Sequence, residues 1–132
     1  MELRTSFGPF CFVRDNLAYH WNFARKFIVP SIEFSHGALT EKDVYQSLEN
    51  GTRHLVVGQE SALIWEDPGF AVKTIHFYLC GGNLREILEA SPIIYGMARE
   101  AGFRRAYVSG RRGWKRLLPN FKEYCTTYTM DL

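Results

Sequence analysis

The sequence predicts an α/β (α+β) protein, one domain over residues 1–132, with a mixed, mainly antiparallel sheet and one parallel β-α-β crossover. Two patterns and the composition carry that expectation. Short apolar runs at 54–57, 61–66 and 71–80 are separated by Gly58-Gln59-Glu60 and Asp67-Pro68-Gly69. Such turn residues between strand-like runs predict an antiparallel meander. After the third run the chain passes Gly81-Gly82, enters an amphipathic stretch over 83–101 and returns in an apolar run at 105–109. That order predicts a right-handed crossover between parallel strands. With 46% apolar and 15% aromatic residues, the 132-residue chain has ample material for a core, which excludes disorder.

The elements follow in order. Residues 5–13 read as a short first strand, and Asp15 as the N-cap of a helix in which Leu17, Trp21, Phe23, Ala24 and Phe27 recur at helical spacing. Pro30 is expected to end or kink it. Thr40 opens a second helix with Asp43 three residues on, and Gly51 closes it in the left-handed position. Asn83 caps the long helix, whose apolar face is read as Leu84, Ile87, Leu88, Ile94, Tyr95 and Ala98, with Pro92 kinking or dividing it and Gly102 ending it. A short basic helix over 112–118 and a last strand over 121–130 complete the order.

Several function classes are set aside early. The net charge of +2 does not by itself demand a polyanionic partner. No run approaches the roughly 18 apolar residues of a membrane span, and the first residues lack the basic-then-apolar pattern of a signal peptide. Cys11, Cys80 and Cys125 are an odd, widely spaced set, which signals neither a disulfide framework nor a zinc site. They read as reduced, partly buried thiols. Phe7, Phe10, Phe12, Tyr19, Phe23 and Phe27 crowd the first 27 residues, more than a small domain is expected to bury, so some are expected at an oligomer or assembly contact.

Four motifs carry a resemblance. They are Gly81-Gly82-Asn83-Leu84-Arg85-Glu86-Ile87-Leu88 at a helix start, Ala98-Arg99-Glu100-Ala101-Gly102 at its end, Gly110-Arg111-Arg112-Gly113-Trp114 at a turn, and the pattern G-x-L-T-x-x-D-V at 37–44. Together with the order β-α-α-β-β-β-α-β-α-β, they resemble a GNAT-type N-acyltransferase fold. The set is similar to small phage and prophage proteins found among virion-morphogenesis genes, and to the acyltransferase-like internal virion proteins of short-tailed phages. The resemblance implies partners among virion proteins, head or tail components, in an oligomer or assembly, located in the virion or host cytoplasm.

The same resemblance implies where catalytic parts would stand. An acyl-CoA pyrophosphate is held by backbone N–H groups at a helix N-terminus, usually in an R/Q-x-x-G-x-G/A turn. Here Gly81, Gly82, Asn83 and Arg85 would line that place for acetyl-CoA, but the spaced glycine pair is missing. The tyrosine that protonates the departing thiolate falls at Arg116, which cannot surrender a proton near neutral pH. Tyr107 or Tyr124 would substitute only in a rearranged geometry. The strand at 71–80 carries no acid, and His76 is its base candidate, since an unperturbed histidine, with a pKa of about 6.5, suits that role. On strand alternation His76 shares a face with Val72, Thr74 and Tyr78, while Glu66 and Asp67 are read as facing solvent. The three absences argue against ordinary acetyl transfer and for a chain that holds no cofactor.

Charge points elsewhere. From residue 101 to 122 there is no acid, and seven cations occur: Arg104, Arg105, Arg111, Arg112, Lys115, Arg116 and Lys122. Trp114 sits among them. Arginine forks beside an aromatic face suit a partner protein, with Arg111, Arg112, Trp114, Lys115 and Arg116 as the contact residues. Nucleic acid is the other reading of the same lobe.

Overall fold

In a computed structural model, residues 3–33, 37–108, 121, 130 and 131 are described. Among the described residues ten elements follow one another: β1 (Arg4–Thr5), β2 (Gly8–Pro9), β3 (Cys11–Phe12), α1 (Leu17–Glu33), α2 (Glu41–Glu49), β4 (His54–Val57), β5 (Ser61–Glu66), β6 (Thr74–Gly82), α3 (Leu84–Glu100) and β7 (Arg105–Val108). Strands β3-β4-β5-β6 pair antiparallel in that spatial order, and β7 lies parallel to β6. This is the mixed sheet with one parallel crossover that the sequence predicts. The expected helix at 112–118 and the strand at 121–130 lie outside the described residues.

Alternation along the strands feeds two cores. Leu55, Val57, Ala62 and Ile64 point to one face, where Trp21, Ala24 and Ile28 of α1 and Val44 and Leu48 of α2 meet them. Val56, Ile75 and Phe77 point to the other, against Ala90, Ile94 and Ala98 of α3. The sheet is thus covered on both sides, and burial of these side chains supplies the main driving force.

Helix ends behave as their residues dictate. Thr40 Oγ1 accepts from Asp43 N at 3.1 Å, which caps α2. At both α2 and α3 the chain leaves through a left-handed glycine, Gly51 and Gly102. Thr52 N then reaches Ser47 O and Phe103 N reaches Ala98 O, so each helix closes its last carbonyls in a Schellman motif.

Five expectations need correction. The run at 5–13 is not one strand, because a tight β1–β2 hairpin folds back before β3 begins. α1 continues three residues past Pro30 and α3 is one helix through Pro92, so neither proline ends or divides its helix. β6 starts at Thr74 rather than 71, and residues 71–73 belong to the loop that opens with Asp67 Oδ1 accepting from Gly69 N. Val72 therefore lies outside the strand. At the other end Gly81 and Gly82 are strand rather than turn, paired with Ala62 and Ser61. Finally, the buried seam of α3 is Glu86, Ala90, Ile94 and Ala98, while Leu84 is exposed. The alanines at 90 and 98 let the helix lie close to the sheet, and the carboxyl of Glu86 has donors waiting for it.

Candidate functional site

One polar row crosses the sheet on the side of α1 and α2. Glu66 of β5 lies opposite His76 of β6, and His76 lies opposite Tyr107 of β7. Arg53, just before β4, completes the row: its Nε donates to Glu66 Oε2 at 3.1 Å, and Glu66 Oε1 meets His76 Nδ1 at 2.9 Å. The His76 and Tyr107 rings are 4.9 Å apart. Behind them the Arg53 guanidinium lies 3.9 Å from the centre of the Tyr78 ring. Thus two of the catalytic candidates read from the sequence, His76 and Tyr107, stand side by side, whereas Tyr124 is outside the described residues.

A register break makes this arrangement. Ile64 pairs with Leu79 but Trp65 pairs with Phe77, so Tyr78 is the extra residue of a β-bulge. A bulge bends its strand and reverses alternation beyond it. Tyr78 and Leu79 consequently both serve the α1 side, and Tyr78 is drawn toward Arg53. Burial pushes the Tyr78 hydroxyl above its ordinary pKa, with Arg53 opposing and Glu66 and Asp43 adding to the shift. The Glu66 side chain is only 20% exposed, which corrects its reading as a solvent-facing residue. Arg53, Glu66 and Tyr78 were missed as site residues; the opposition of Glu66 to His76 in adjacent strands was the available signal.

The entrance to α3 has a different character. Asn83 Oδ1 accepts from Arg85 N at 3.0 Å and from Glu86 N at 3.4 Å, while Asn83 N donates to Glu60 O at 2.8 Å. Glu86 is almost fully buried and accepts from Gln59 N at 2.8 Å, from Glu60 N at 2.9 Å and from Ser61 Oγ. Its carboxyl therefore fastens the β4–β5 turn to the start of α3. A side chain on Gly81 would collide with the Phe27 carbonyl, and one on Gly82 with the Glu60 carbonyl. The two glycines are explained by close backbone approach. Arg85 points outward, 81% exposed, 3.8 Å from Glu89. A cavity of about 40 Å³ beside Glu86 has room for ordered water and little more.

The remaining candidates are quickly placed. Arg111, Arg112, Trp114, Lys115 and Arg116 lie outside the described residues, and Arg104 and Arg105 are exposed at the start of β7. Cys11 is exposed, contrary to expectation, while burial pushes the Cys80 thiol up to about 12, which leaves it protonated and inert. Tyr19 and Phe23 are exposed, as the aromatic crowding of the N-terminal region predicts. Among the described residues no group of His, Cys, Asp and Glu is placed to hold a metal ion, and no helix is long and apolar enough to cross a membrane.

No protein-family model and no curated protein sequence matches the chain. Solved structures do. A protein described as a probable acetyltransferase superposes with a TM-score of 0.66 at 15% identity, covering 92% of this chain and 97% of its own. An aminoglycoside acetyltransferase from an uncultured soil metagenomic sample, solved with sisomicin, gives 0.62 at 11% identity, covering 93% and 96%. The ribosomal-protein-alanine N-acetyltransferase of Brucella melitensis biovar Abortus 2308 gives 0.60 at 9%, covering 93% and 99%. With its parallel pair, its bulged central strand and helices on both faces, the chain has the fold of the GNAT-type N-acyltransferases.

Proposed function

We propose that this chain uses the GNAT fold as a non-catalytic interaction module of a phage virion or of its assembly. The observation that carries the reading is the closed start of α3. There the N–H groups of Asn83, Arg85 and Glu86 are all taken by the chain itself. An anion bound at a helix N-terminus needs those groups free. The missing spaced glycines and the arginine at position 116 support the same reading, and the motif resemblance supports the phage setting. The partners are then other virion proteins, head or tail components, met in the virion or host cytoplasm through the basic lobe at 101–122.

Titration calorimetry with acetyl-CoA is the direct test. No heat of binding at millimolar ligand is expected, and micromolar binding would overturn the reading. Mass spectrometry of purified virions should find the chain at fixed stoichiometry to shell or portal proteins. Joint Arg112→Ala and Trp114→Ala changes should weaken that association with little change in melting temperature.

One observation favours a second reading. The Glu66–His76 pair beside Tyr107 is the kind of arrangement that activates an acceptor amine, as an active acyl-CoA-dependent N-acetyltransferase requires. Acetyl-CoA would be its cofactor, and its consumption would depend on His76. A third reading, nucleic-acid binding by the basic lobe, requires affinity that falls steeply with salt.

A further inference from the structure

The buried, unpaired His76 Nε2 and Tyr78 Oη belong to the polar row already described. At the end of the sheet where β6 and β7 begin, exposed apolar and cationic side chains gather. Phe70 is 51% exposed and Val72 41%, two residues apart in the loop that leads into β6. The exposed Arg104 and Arg105 lie beside that loop, because their N–H groups both donate to Lys73 O, at 2.8 and 3.3 Å. Arg105 and Tyr107 share a face of β7, and the Phe70 ring stands edge-on to Tyr107 at 6.3 Å. Ring and guanidinium therefore emerge on one side of the same strand.

The loop is fastened along its length. Asp67 Oδ1 accepts from Gly69 N at 2.9 Å, and Thr74 Oγ1 donates to Val72 O at 2.7 Å. Lys73 Nζ donates to Ala101 O at 3.0 Å and lies 4.7 Å from the centre of the Phe103 ring. A surface held in place this way loses little conformational freedom when something covers it.

Charge and apolar area together narrow the occupant. Three arginines elsewhere are each matched by a carboxylate: Arg25 by Glu41, Arg53 by Glu66 and Arg85 by Glu89. Among the described residues no carboxylate pairs with Lys73, Arg104 or Arg105, and the exposed Glu100 at the end of α3 makes no ion pair. Covering two guanidiniums costs their hydration unless carboxylates meet them. Covering Phe70 and Val72 is favourable only against other apolar groups. A phosphate backbone would answer the cations but offers Val72 nothing. Aromatic and arginine side chains set together mark protein interfaces.

We propose that the loop at 67–73 and the start of β7 form a docking surface for an acidic segment of another protein. Carboxylates of that segment pair with Arg104 and Arg105, and an aromatic or aliphatic side chain between them packs on Phe70 and Val72. The proposal rests on the interaction-module reading for the existence of a partner and adds the partner's chemistry and the surface that takes it. Acetyl-CoA calorimetry tests that reading and peptides test this one, so the two fail separately.

The experiment is selection from a library of short random peptides on the immobilised full chain, followed by affinity measurement for the most enriched peptide. Enriched peptides should carry Asp or Glu around an aromatic or aliphatic residue. Phe70→Ala, at a half-exposed ring, should weaken that peptide about tenfold. Arg104→Glu with Arg105→Glu should weaken it further and, in a second selection, turn the preference to peptides rich in Lys and Arg. Lys73 is left in place because it holds Ala101, and an unchanged melting temperature checks the fold of both variants. No enrichment, enrichment without acidic residues, or full affinity in either variant would overturn the proposal. A short DNA duplex bound more tightly than the best peptide, lost in the double arginine variant and kept in Phe70→Ala, would assign the surface to nucleic acid and overturn it too.

Discussion

Two glutamates on opposite faces of the sheet define two kinds of polar site. Glu86, under α3, is nearly without solvent exposure and collects three donors from the turn at residues 59–61. Every group it touches is paired. Glu66, on the α1 side, also uses both oxygens, on Arg53 and His76, yet the groups it organises keep two unpaired buried atoms. Polar networks in low dielectric rigidify a fold when fully satisfied and mark places where something is missing when they are not. The first site is complete as built, just inside the helix start whose Arg85 and Glu86 N–H groups are taken by Asn83. The second is organised but incomplete. That contrast is why the fold alone, shared with acetyltransferases, does not decide the activity.

The largest effect should come from breaking the complete site. Glu86→Ala strands two backbone N–H groups and a hydroxyl in the α3-side core, so it should cost about 3–5 kcal/mol. The melting temperature should fall by roughly 10–20 °C in calorimetry, given the size of the chain. A drop of only a degree or two would mean that water replaces the carboxyl, and the two glutamates would no longer differ in kind. Gly81→Ala comes next. The added methyl meets the backbone of α1 at Phe27, which cannot swing aside, so a loss of about 1–3 kcal/mol is expected. Gly96→Ala on α3 meets open space and serves as the control, expected to be neutral or stabilising. If Gly81→Ala left stability unchanged but altered acetyl-CoA binding, its glycine would belong to a ligand cradle rather than to helix packing.

What was legible in the sequence is what local chemistry determines. The strands at 54–57 and 61–66, the Thr40 and Asn83 caps and the glycine stops at 51 and 102 all rest on neighbours within a few residues. The bulge at Tyr78 does not, because it exists only as a mismatch between β5 and β6. Glu66 was misplaced for the same reason: its partners lie 13 and 10 residues away and meet it only across strands. Glu86 was overlooked on the buried face of α3 because a charged side chain reads as solvent-facing until its donors are known. Gly81-Gly82 has turn composition, and only pairing with Ser61 and Ala62 makes it strand. The site was therefore half legible: His76 and Tyr107 as residue types on strands, but not the row that joins them.

Asn83→Ala should cost about 1 kcal/mol, the usual value of an N-cap, seen as a small shift in denaturant midpoint. It sharpens the comparison because it reopens Arg85 N and Glu86 N without touching Glu86's other partners. If acetyl-CoA gains measurable affinity in this variant, Asn83 alone closes the helix start. If it does not, the packing of Gly81 and Gly82 closes it too.

The smallest effect is the most diagnostic, because its sign differs between the two accounts of the incomplete site. Tyr78→Phe removes one oxygen and keeps the ring under the Arg53 guanidinium. If Oη is buried and unpaired in the free protein, its loss relieves a desolvation cost, and stability should rise by up to about 1 kcal/mol. If an ordered water already bridges Oη and His76 Nε2, the same change deletes a hydrogen bond and strands the imidazole, so stability should fall by a similar amount. Urea denaturation without added ligand resolves a difference of this size when the slope is unchanged. A gain would show that the row is left incomplete by the chain itself. A loss would make the Glu66 row as complete as the Glu86 cluster, and the contrast between the two faces would collapse.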